Sequence, residues 1–476
     1  MEMNADRCYQ ALLSHDARFD GRFFVGVGST EIYCRPVCPA RTPRRENCSF
    51  FPSAAAAEKA GFRPCMRCRP ELAPGNARVD AVGRLASAAA SRIEEGALSD
   101  RGVEGLAEEL GVTDRHLRRV VQSELGVSPI ELAQTQRLLL AKRLLTDTRL
   151  PVIEVAFASG FASVRRFNAL FRSRYRLSPR ALRRAGASEA PEAVLACEVA
   201  YRPPFAWEPL IAFIERRAIA GVEAVEEGRY LRTVSIGGHE GWVAVGHAKG
   251  RRTLRVELSA SLAPVLPAVL ARVKRLFDLA ADPKLIASRL GELAAGCPGL
   301  RVPGAFDGFE VAVRAILGQQ VSVRAASTLA GRLAAAFGEP IETPHAALTR
   351  VWPTAEAIRA LRPGKIAALG VLPSRARSIL ALARAVARRE VVLEPCAPAE
   401  ETATRLLRIP GVGEWTAEYV AMRALAWPDA FPRTDLGIRR ALRGKSPREI
   451  LEMAEAWRPW RAYAAMHLWK SLEVRS

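Results

Sequence analysis

The sequence has no run of about twenty apolar residues, the length a bilayer-spanning helix needs, so no segment is expected to cross a membrane. Its opening residues, Met1-Glu-Met-Asn-Ala-Asp6, are polar and lack the apolar stretch of a secretory signal. Cysteine is scarce, and nine in 476 residues do not describe a secreted disulfide scaffold. Acidic side chains are few beside basic ones, 50 against 70, which leaves a net charge of +20 and a pI near 10.2. A GC-rich genome would explain arginine in place of lysine but not the surplus itself. A surface that basic suits a polyanion, with nucleic acid the first candidate. The expectation is a cytoplasmic, nucleic-acid-facing protein. A mass of 51.8 kDa is too large for one hydrophobic core, and three domains are the natural expectation. With 49% hydrophobic and 25% charged residues the chain reads as globular, not disordered.

Four of the cysteines fall in two close pairs, Cys34-Arg-Pro-Val-Cys38 and Cys65-Met-Arg-Cys68. Each pair can bind one face of a tetrahedral ion, and residues 39–64 would close a small module around it. Cys34, Cys38, Cys65 and Cys68 are therefore expected to hold one Zn2+, and on spacing alone such a site reads as structural. Arg22–Gly28 reads as a strand ending in a glycine turn. Arg41, Arg44, Arg45 and Arg63 flank the pairs. They either meet phosphate, offsetting a net negative four-thiolate cluster, or form a solvated basic face. Cys48 reads as a small buried or semi-exposed residue outside the set.

The runs Ile32–Cys38, Arg45–Phe51 and Gly61–Cys68 resemble the N-terminal domain of the Ada adaptive-response regulators. That family moves methyl groups from DNA phosphotriesters onto its first zinc cysteine, which falls on Cys34, and Arg41 and Arg63 match positions that touch the DNA backbone. The resemblance implies a reactive site in place of an inert one. Zinc keeps a thiol ionised at neutral pH, and the thiolate is the nucleophile. A methylated phosphotriester has lost its charge, so an anionic cluster can approach it. Methylation removes one negative charge from the cluster and should strengthen its later attraction to phosphate, an irreversible charge switch.

From Asp80 the apolar residues recur at helical spacing. Two stretches echo each other, Val103–Val121 and Val152–Asn168. Each reads as a helix ended by a glycine (Gly111, Gly160) and a basic helix capped by Thr113 or Ser163, the helix-turn-helix pattern. Arg115, His116, Arg118 and Arg119 in the first, and Arg165, Arg166 and Asn168 in the second, are expected to meet DNA, with Leu117 and Phe167 in the core. A linking helix over Pro129–Thr146 would set the distance between the readers. Gly160-Phe-Ala-Ser163, Phe167…Phe171-Arg172 and Ser178-Pro179…Arg183 resemble the AraC-type DNA-binding domain, implying a promoter reader with RNA polymerase as a partner. A helical packing domain is the alternative, opposed by the cluster Arg172, Arg174, Arg176, Arg180, Arg183 and Arg184.

Glycine, serine, proline and acids over 185–193 break the helical pattern and read as a linker. Ada proteins continue with a Pro-Cys-His-Arg motif that takes alkyl groups from guanine oxygen. Cys197, Cys297 and Cys396 lack those neighbours, so that activity is expected to be absent.

The last part opens with strand-like runs at Leu195–Tyr201, Tyr230–Gly237, Trp242–Gly246 and Leu254–Leu258, and becomes helical after Pro303. In Leu406–Tyr419, the turn Pro410-Gly-Val-Gly413 lets Gly411 and Gly413 present backbone amides beside a helix N-terminus, as phosphate sites do; an ordinary helical hairpin reads the same way. With Phe431-Pro-Arg-Thr-Asp435 further on, the stretch resembles the helix-hairpin-helix, Gly/Pro-Asp DNA glycosylases. Pro303…Glu310, Arg314–Val323 and Trp457–Trp469 narrow the likeness, over residues 196–473, to the DNA-3-methyladenine glycosylase II family. The resemblance makes Asp435 the catalytic carboxylate, stabilising an oxocarbenium-like sugar as a cationic base leaves. It lines the base pocket with Trp415, Tyr419 and Trp469, whose electron-rich rings suit a cationic base, and puts Gln320 where relatives insert an apolar wedge. Trp415 stands where lyase-active relatives carry a Schiff-base lysine, so a monofunctional glycosylase is expected. A DNA-binding regulator with an inactive glycosylase half, and a glycosylase-lyase, are the alternatives. Arg439 and Arg440 are backbone contacts or solvated charges.

The expected architecture is thus multidomain α+β. It comprises a small zinc module (1–78), an all-α double helix-turn-helix domain (79–186), a linker (187–195), an antiparallel α/β subdomain (196–302) and a helix-hairpin-helix catalytic domain (303–476). Double-stranded DNA is the expected partner.

Overall fold

Alternating aromatic and aliphatic residues around Phe24 build the first sheet. β1 (Phe24–Val27) runs antiparallel to β2 (Ile32–Cys34) and β3 (Cys48–Phe51), and β2 runs parallel to β4 (Arg63–Pro64), in the order β3-β1-β2-β4. Successive side chains of β1 face opposite ways. Phe23 and Val25 join Cys8, Leu12 and Cys48 on one face, while Phe24 joins Tyr33 and Ala57 on the other. Gly26 admits no side chain: a Cβ there would stand 2.8 Å from the rings of both Phe51 and Phe62. The structure, a computed structural model, describes residues 4–74, 84–98, 101–183, 193–248, 250–395 and 397–473. The expected helix start at Asp80, Arg184, most of the expected linker and Cys396 lie outside them.

The chain forms two compact units: Met1–Pro203 with Ala248–Ala271 and Leu279–Ala281, and Pro204–His247 with Arg272–Asp278 and Asp282–Ser476. In the first unit the two helix-turn-helix elements follow their capping residues. Helix Gly102–Glu109 ends before Gly111 (φ 69°), and Thr113 Oγ1 accepts from His116 N (3.3 Å) to start Asp114–Leu125. Helix Val152–Ala158 ends before Gly160 (φ 83°), and Ser163 caps Val164–Tyr175. The linking helix Pro129–Asp147 opens with a Ser128/Glu131 capping box. Leu117 and Phe167 are fully buried, as their helical spacing predicts.

The zinc module and the linking helix share buried polar groups. Tyr33 Oη donates to Glu58 Oε1 (3.1 Å), and Thr135 Oγ1 of the linking helix donates to Glu58 Oε2 (2.9 Å). Lys142 Nζ donates to both oxygens of Glu71 at 2.7 Å. Ser53 Oγ donates to the Leu125 carbonyl (2.8 Å), where the first reader helix ends. β5 (Val194–Ala200) pairs antiparallel with β9 (Thr253–Ser259) within this unit.

The second unit holds a meander of β6 (Glu223–Glu226), β7 (Arg229–Ile236) and β8 (His239–His247), antiparallel throughout. Four of these C-terminal strands match the sequence reading within a residue or a few. The short β6, half of it glutamate, carried no alternation signal. The rest is helical and closes around Phe309, Val313, Ile316, Leu333, Ile379 and Val420. Helices Ala399–Leu407 and Glu414–Arg423 form the hairpin.

Candidate functional site

Two constellations of reactive groups stand out, one in each unit. In the first, the Sγ atoms of Cys34, Cys38, Cys65 and Cys68 all lie within 4.8 Å of one another. Tetrahedral Zn–S bonds of about 2.3 Å would set the sulfurs about 3.8 Å apart, so the four fit one ion. β2 delivers Cys34 at its end, and the Cys65 amide bonds the Tyr33 carbonyl (3.0 Å), which sets the two pairs face to face. The Arg35 amide donates to Cys68 Sγ (3.3 Å) and the Arg67 amide to Cys65 Sγ (3.4 Å). The Arg35 side chain is taken by Asp20 and the Cys68 carbonyl. The donor set also fits the ion electrically. Donating to Cys38, Cys65 and Cys68, with burial, pushes the Cys34 thiol well up, while accepting from Cys34 pulls Cys38 down. Four thiols this close cannot all ionise without a cation among them. Cys34 is the most open, 9% exposed against 4% for Cys38 and 6% for Cys65 and Cys68. Arg41 and Arg67 stand exposed nearby in sequence, and Arg63 is half-buried on β4.

Among the expected DNA contacts of the reader helices, Arg115, Arg119, Arg165 and Arg166 are exposed, while His116, Arg118 and Asn168 are half-buried. Arg118 pairs with Asp114 (3.1 Å), and Arg119 Nη2 meets His116 Nδ1 (3.0 Å). Arg45 is engaged by Asp6 and lies over the Phe50 ring at 5.3 Å, which draws it into the fold of the module.

In the second unit Asp435 caps helix Leu436–Ala441, its Oδ1 accepting from the Ile438 amide (3.0 Å). Trp415 Nε1 donates to Oδ2 and Trp469 Nε1 to Oδ1, both at 2.8 Å. Three neutral donors thus hold both oxygens of a half-buried carboxylate. Trp415 lies one turn before Tyr419 on the hairpin helix, and the rings stack at 5.4 Å and 17°. Trp469 tilts toward Tyr419 at 6.3 Å. The three aromatics named from the sequence therefore stand together around Asp435. Gly411 (φ 81°) and Gly413 are exposed at the hairpin, and no side chain caps helix Glu414–Arg423, so its first amides face outward. A Cβ on Gly411 would meet Ser378 Oγ at 2.2 Å. Gln320 is exposed with φ 54°, a conformation uncommon outside glycine.

Sequence reasoning missed several participants. Gln319 Nε2 donates to the Gly411 carbonyl (2.8 Å) and Thr416 Oγ1 (3.0 Å), tying the Gln320 loop to the hairpin. Gly437 leaves room for Trp469, since a Cβ there would come within 2.9 Å of both Asp435 Oδ1 and the indole. Phe213 stacks on Trp469 at 6.2 Å and 20°, and Arg423 Nη1 donates to the Tyr419 hydroxyl (2.7 Å). Only Arg423 carried a visible signal, as a cation one turn beyond Tyr419 on the same helix face.

A four-cysteine metal module, paired helix-turn-helix elements and a helix-hairpin-helix unit with a held aspartate define a DNA-directed repair and regulatory protein. Family descriptions match these parts in order. They are "Metal binding domain of Ada" over 7–71, "Helix-turn-helix domain" over 106–185, "AlkA N-terminal domain" over 196–307, and "HhH-GPD superfamily base excision DNA repair protein" over 313–459. The chain is 42% identical over 99% of its length to a Mycobacterium tuberculosis protein described as a probable bifunctional transcriptional activator/DNA repair enzyme AlkA, covering 97% of that protein. It therefore belongs to that family. Over 56% of its length it is 37% identical to "DNA-3-methyladenine glycosylase 2" of Escherichia coli, covering 95% of that protein. A 3-methyladenine DNA-glycosylase structure from Archaeoglobus fulgidus shares the fold of the glycosylase part, with TM-score 0.51 and 23% identity, over 57% of this chain and 97% of that one.

Proposed function

We propose that the chain senses and repairs DNA alkylation by two separate chemistries, one in each unit. The observation that carries the glycosylase reading is the Asp435 carboxylate, held by Trp415 and Trp469 beside a Trp415–Tyr419 stack. When a base alkylated at N3 or N7 departs, the glycosidic electron pair goes to the base and positive charge appears at the sugar C1′. Asp435 stabilises that charge, and water then adds to the sugar. The alkylated base leaves neutral, so it needs no strong general acid. Trp415, Tyr419 and Trp469 stack on the flipped, cationic base. Trp415 in place of an amine leaves no Schiff-base nucleophile at that position, so the reaction stops at base release.

At the cysteines, zinc when bound keeps the thiols ionised at neutral pH. Cys34, at the end of β2, attacks the methyl carbon of a phosphotriester. The S–C bond forms, the C–O bond breaks, and the phosphate leaves as an ordinary diester anion. Cys38, Cys65 and Cys68 hold the ion, and Arg41 and Arg63 meet the neighbouring phosphates. Loss of one negative charge then favours undamaged DNA. Arg115, Arg119, Arg165 and Arg166, with His116, Arg118 and Asn168, read the promoter, and the methylated protein recruits RNA polymerase. Descriptions of relatives as transcriptional activators support that step.

Release of 3-methyladenine from alkylated duplex DNA by wild type and by Asp435→Asn tests the first chemistry. Wild type should release the base, and the variant roughly a thousandfold more slowly. No release by wild type leaves a DNA-binding regulator, and borohydride trapping of a covalent DNA adduct would mean a lyase. Peptide mass spectrometry after exposure to methylated DNA should find one added methyl, on Cys34.

A further inference from the structure

We infer that Arg423, with Arg217 beside it, forms a cationic pole at the end of the base pocket opposite Asp435, so that charge moves down a built-in field as the base leaves. This rests on the base-release reading above. Arg423 is 6% exposed. Its three nitrogens are committed to the Tyr419 hydroxyl (2.7 Å) and to the carbonyls of Pro303 and Gly304, all of them uncharged acceptors. Arg217 lays its guanidinium over the Phe213 ring, 3.6 Å from the centroid, and donates to the Phe213 carbonyl (3.1 Å). Arg423 lies over the same ring at 5.4 Å. Neither makes an ion pair among the described residues.

The surrounding charges do not cancel them. A cavity lined by Arg217 and Arg423 is also lined by Glu223, Arg232, Glu310 and Arg314. Arg314 bonds Glu223 (3.1 Å) and Glu310 (3.2 Å), and Arg232 bonds Glu310 (2.8 Å). Two acids and two arginines neutralise one another there, which leaves the charges of Arg217 and Arg423 uncompensated. Burial lowers Arg217 to about 10, which still leaves it a cation at neutral pH. The field reaches the pocket wall. Burial alone would raise the Tyr419 phenol, yet the charges of Arg423, Arg217 and Arg314 bring it below its ordinary value.

The aromatic rings separate the poles. Trp415 and Trp469 hold Asp435 through their indole nitrogens. Their stacking partners, Tyr419 and Phe213, meet the guanidinium groups of Arg423 and Arg217. Bond cleavage moves one unit of positive charge from base to sugar, toward the anion and away from the cations. In a site walled from water, fixed charges so arranged favour that displacement. They also repel a cationic base before cleavage, and departure relieves the repulsion. Removing a cation should therefore lower the rate of the chemical step without weakening binding of a cationic lesion.

Single-turnover release of 7-methylguanine from duplex DNA by the full chain tests this. Arg423→Met and Arg217→Met should each lower the limiting rate about tenfold or more, a barrier increase of at least about 1.4 kcal/mol. Half-saturation should be unchanged or lower, and Arg423→Lys and Arg217→Lys should recover most of the rate. Arg423 also holds two backbone carbonyls, so Arg217→Met decides the matter if Arg423→Met loses its helical circular dichroism. Limiting rates of Arg217→Met within about twofold of wild type would overturn the inference. So would Lys variants as slow as the Met variants, since shape and not charge would then be responsible. A wild-type chain that releases no base overturns the base-release reading itself, an outcome distinct from both.

Discussion

The two reactive centres confine negative charge in opposite ways. Around Cys34 four sulfurs crowd within 4.8 Å, a concentration of anion that calls for a divalent ion at its middle. Asp435 is a single carboxylate held by two indole N–H groups and one backbone amide, all neutral. On the proposed reading the first centre is made by its metal and is altered once by its own reaction. The second is made by side-chain packing and, on the same reading, returns unchanged after each turnover. A spent acceptor suits a signal, and a regenerated carboxylate suits a catalyst.

The sharpest way to break that contrast is to remove each anion alone. Asp435→Asn should lower base release roughly a thousandfold while methyl uptake on Cys34 continues. Cys34→Ser should abolish uptake and leave base release at the wild-type rate. Mass spectrometry and a base-release assay on the same preparations check both. Chelating the metal comes next. Thermal melts should show the zinc module losing structure, because ion binding is coupled to its folding, while base release persists. Any parallel loss of base release would mean the second centre also depends on the ion. Trp415→Phe or Trp469→Phe removes one neutral donor. Loss of one hydrogen bond to a charged group is worth about 1.5–3 kcal/mol, so the rate should fall about 10- to 100-fold. Gly437→Ala, by pushing the Trp469 indole off Asp435, should act in the same direction.

A third acid, buried and with neither metal nor indole, is read in stability and not in rate. Burial raises Glu58 to about 7 from 4.5, despite the hydroxyls of Thr135 and Tyr33. A carboxyl whose folded value is raised favours folding fully below its unfolded value and loses that contribution as pH rises through the folded one. Melts of wild type should therefore lose stability between about pH 4.5 and 7, by on the order of 3 kcal/mol. Glu58→Gln, which cannot ionise, should flatten that slope. An unchanged slope would mean Glu58 is ionised throughout.

What could be read from the chain were features written locally. Cys34-x3-Cys38 and Cys65-x2-Cys68, the Thr113 and Ser163 caps, Gly411 before the hairpin helix and Trp415 one turn from Tyr419 all declare themselves within a few residues. The linking helix ran one residue past its expected end, since nothing at Asp147 marks a boundary. What stayed hidden depends on distant chain segments meeting. Phe213 acquires meaning only when the fold brings it to Trp469, and Arg217 only when Phe213 lies beneath it. Gly437 reads as an ordinary helical glycine until the indole is placed against it. Glu58 looks like a surface acid on an alanine-rich helix, and only Tyr33 and Thr135 show it to be interior.

The pairs Glu58–Thr135 and Glu71–Lys142 also bear on how such a chain can be rearranged. A cut between the metal module and the linking helix would strand the Lys142 ammonium and leave Glu58 and Glu71 with only Tyr33 and Arg69 of their own module as partners. Recombination that swaps sensors between regulators must therefore carry the linking helix with the cysteines, or replace those groups together. The unit of inheritance in this half of the protein is larger than the metal-binding module itself.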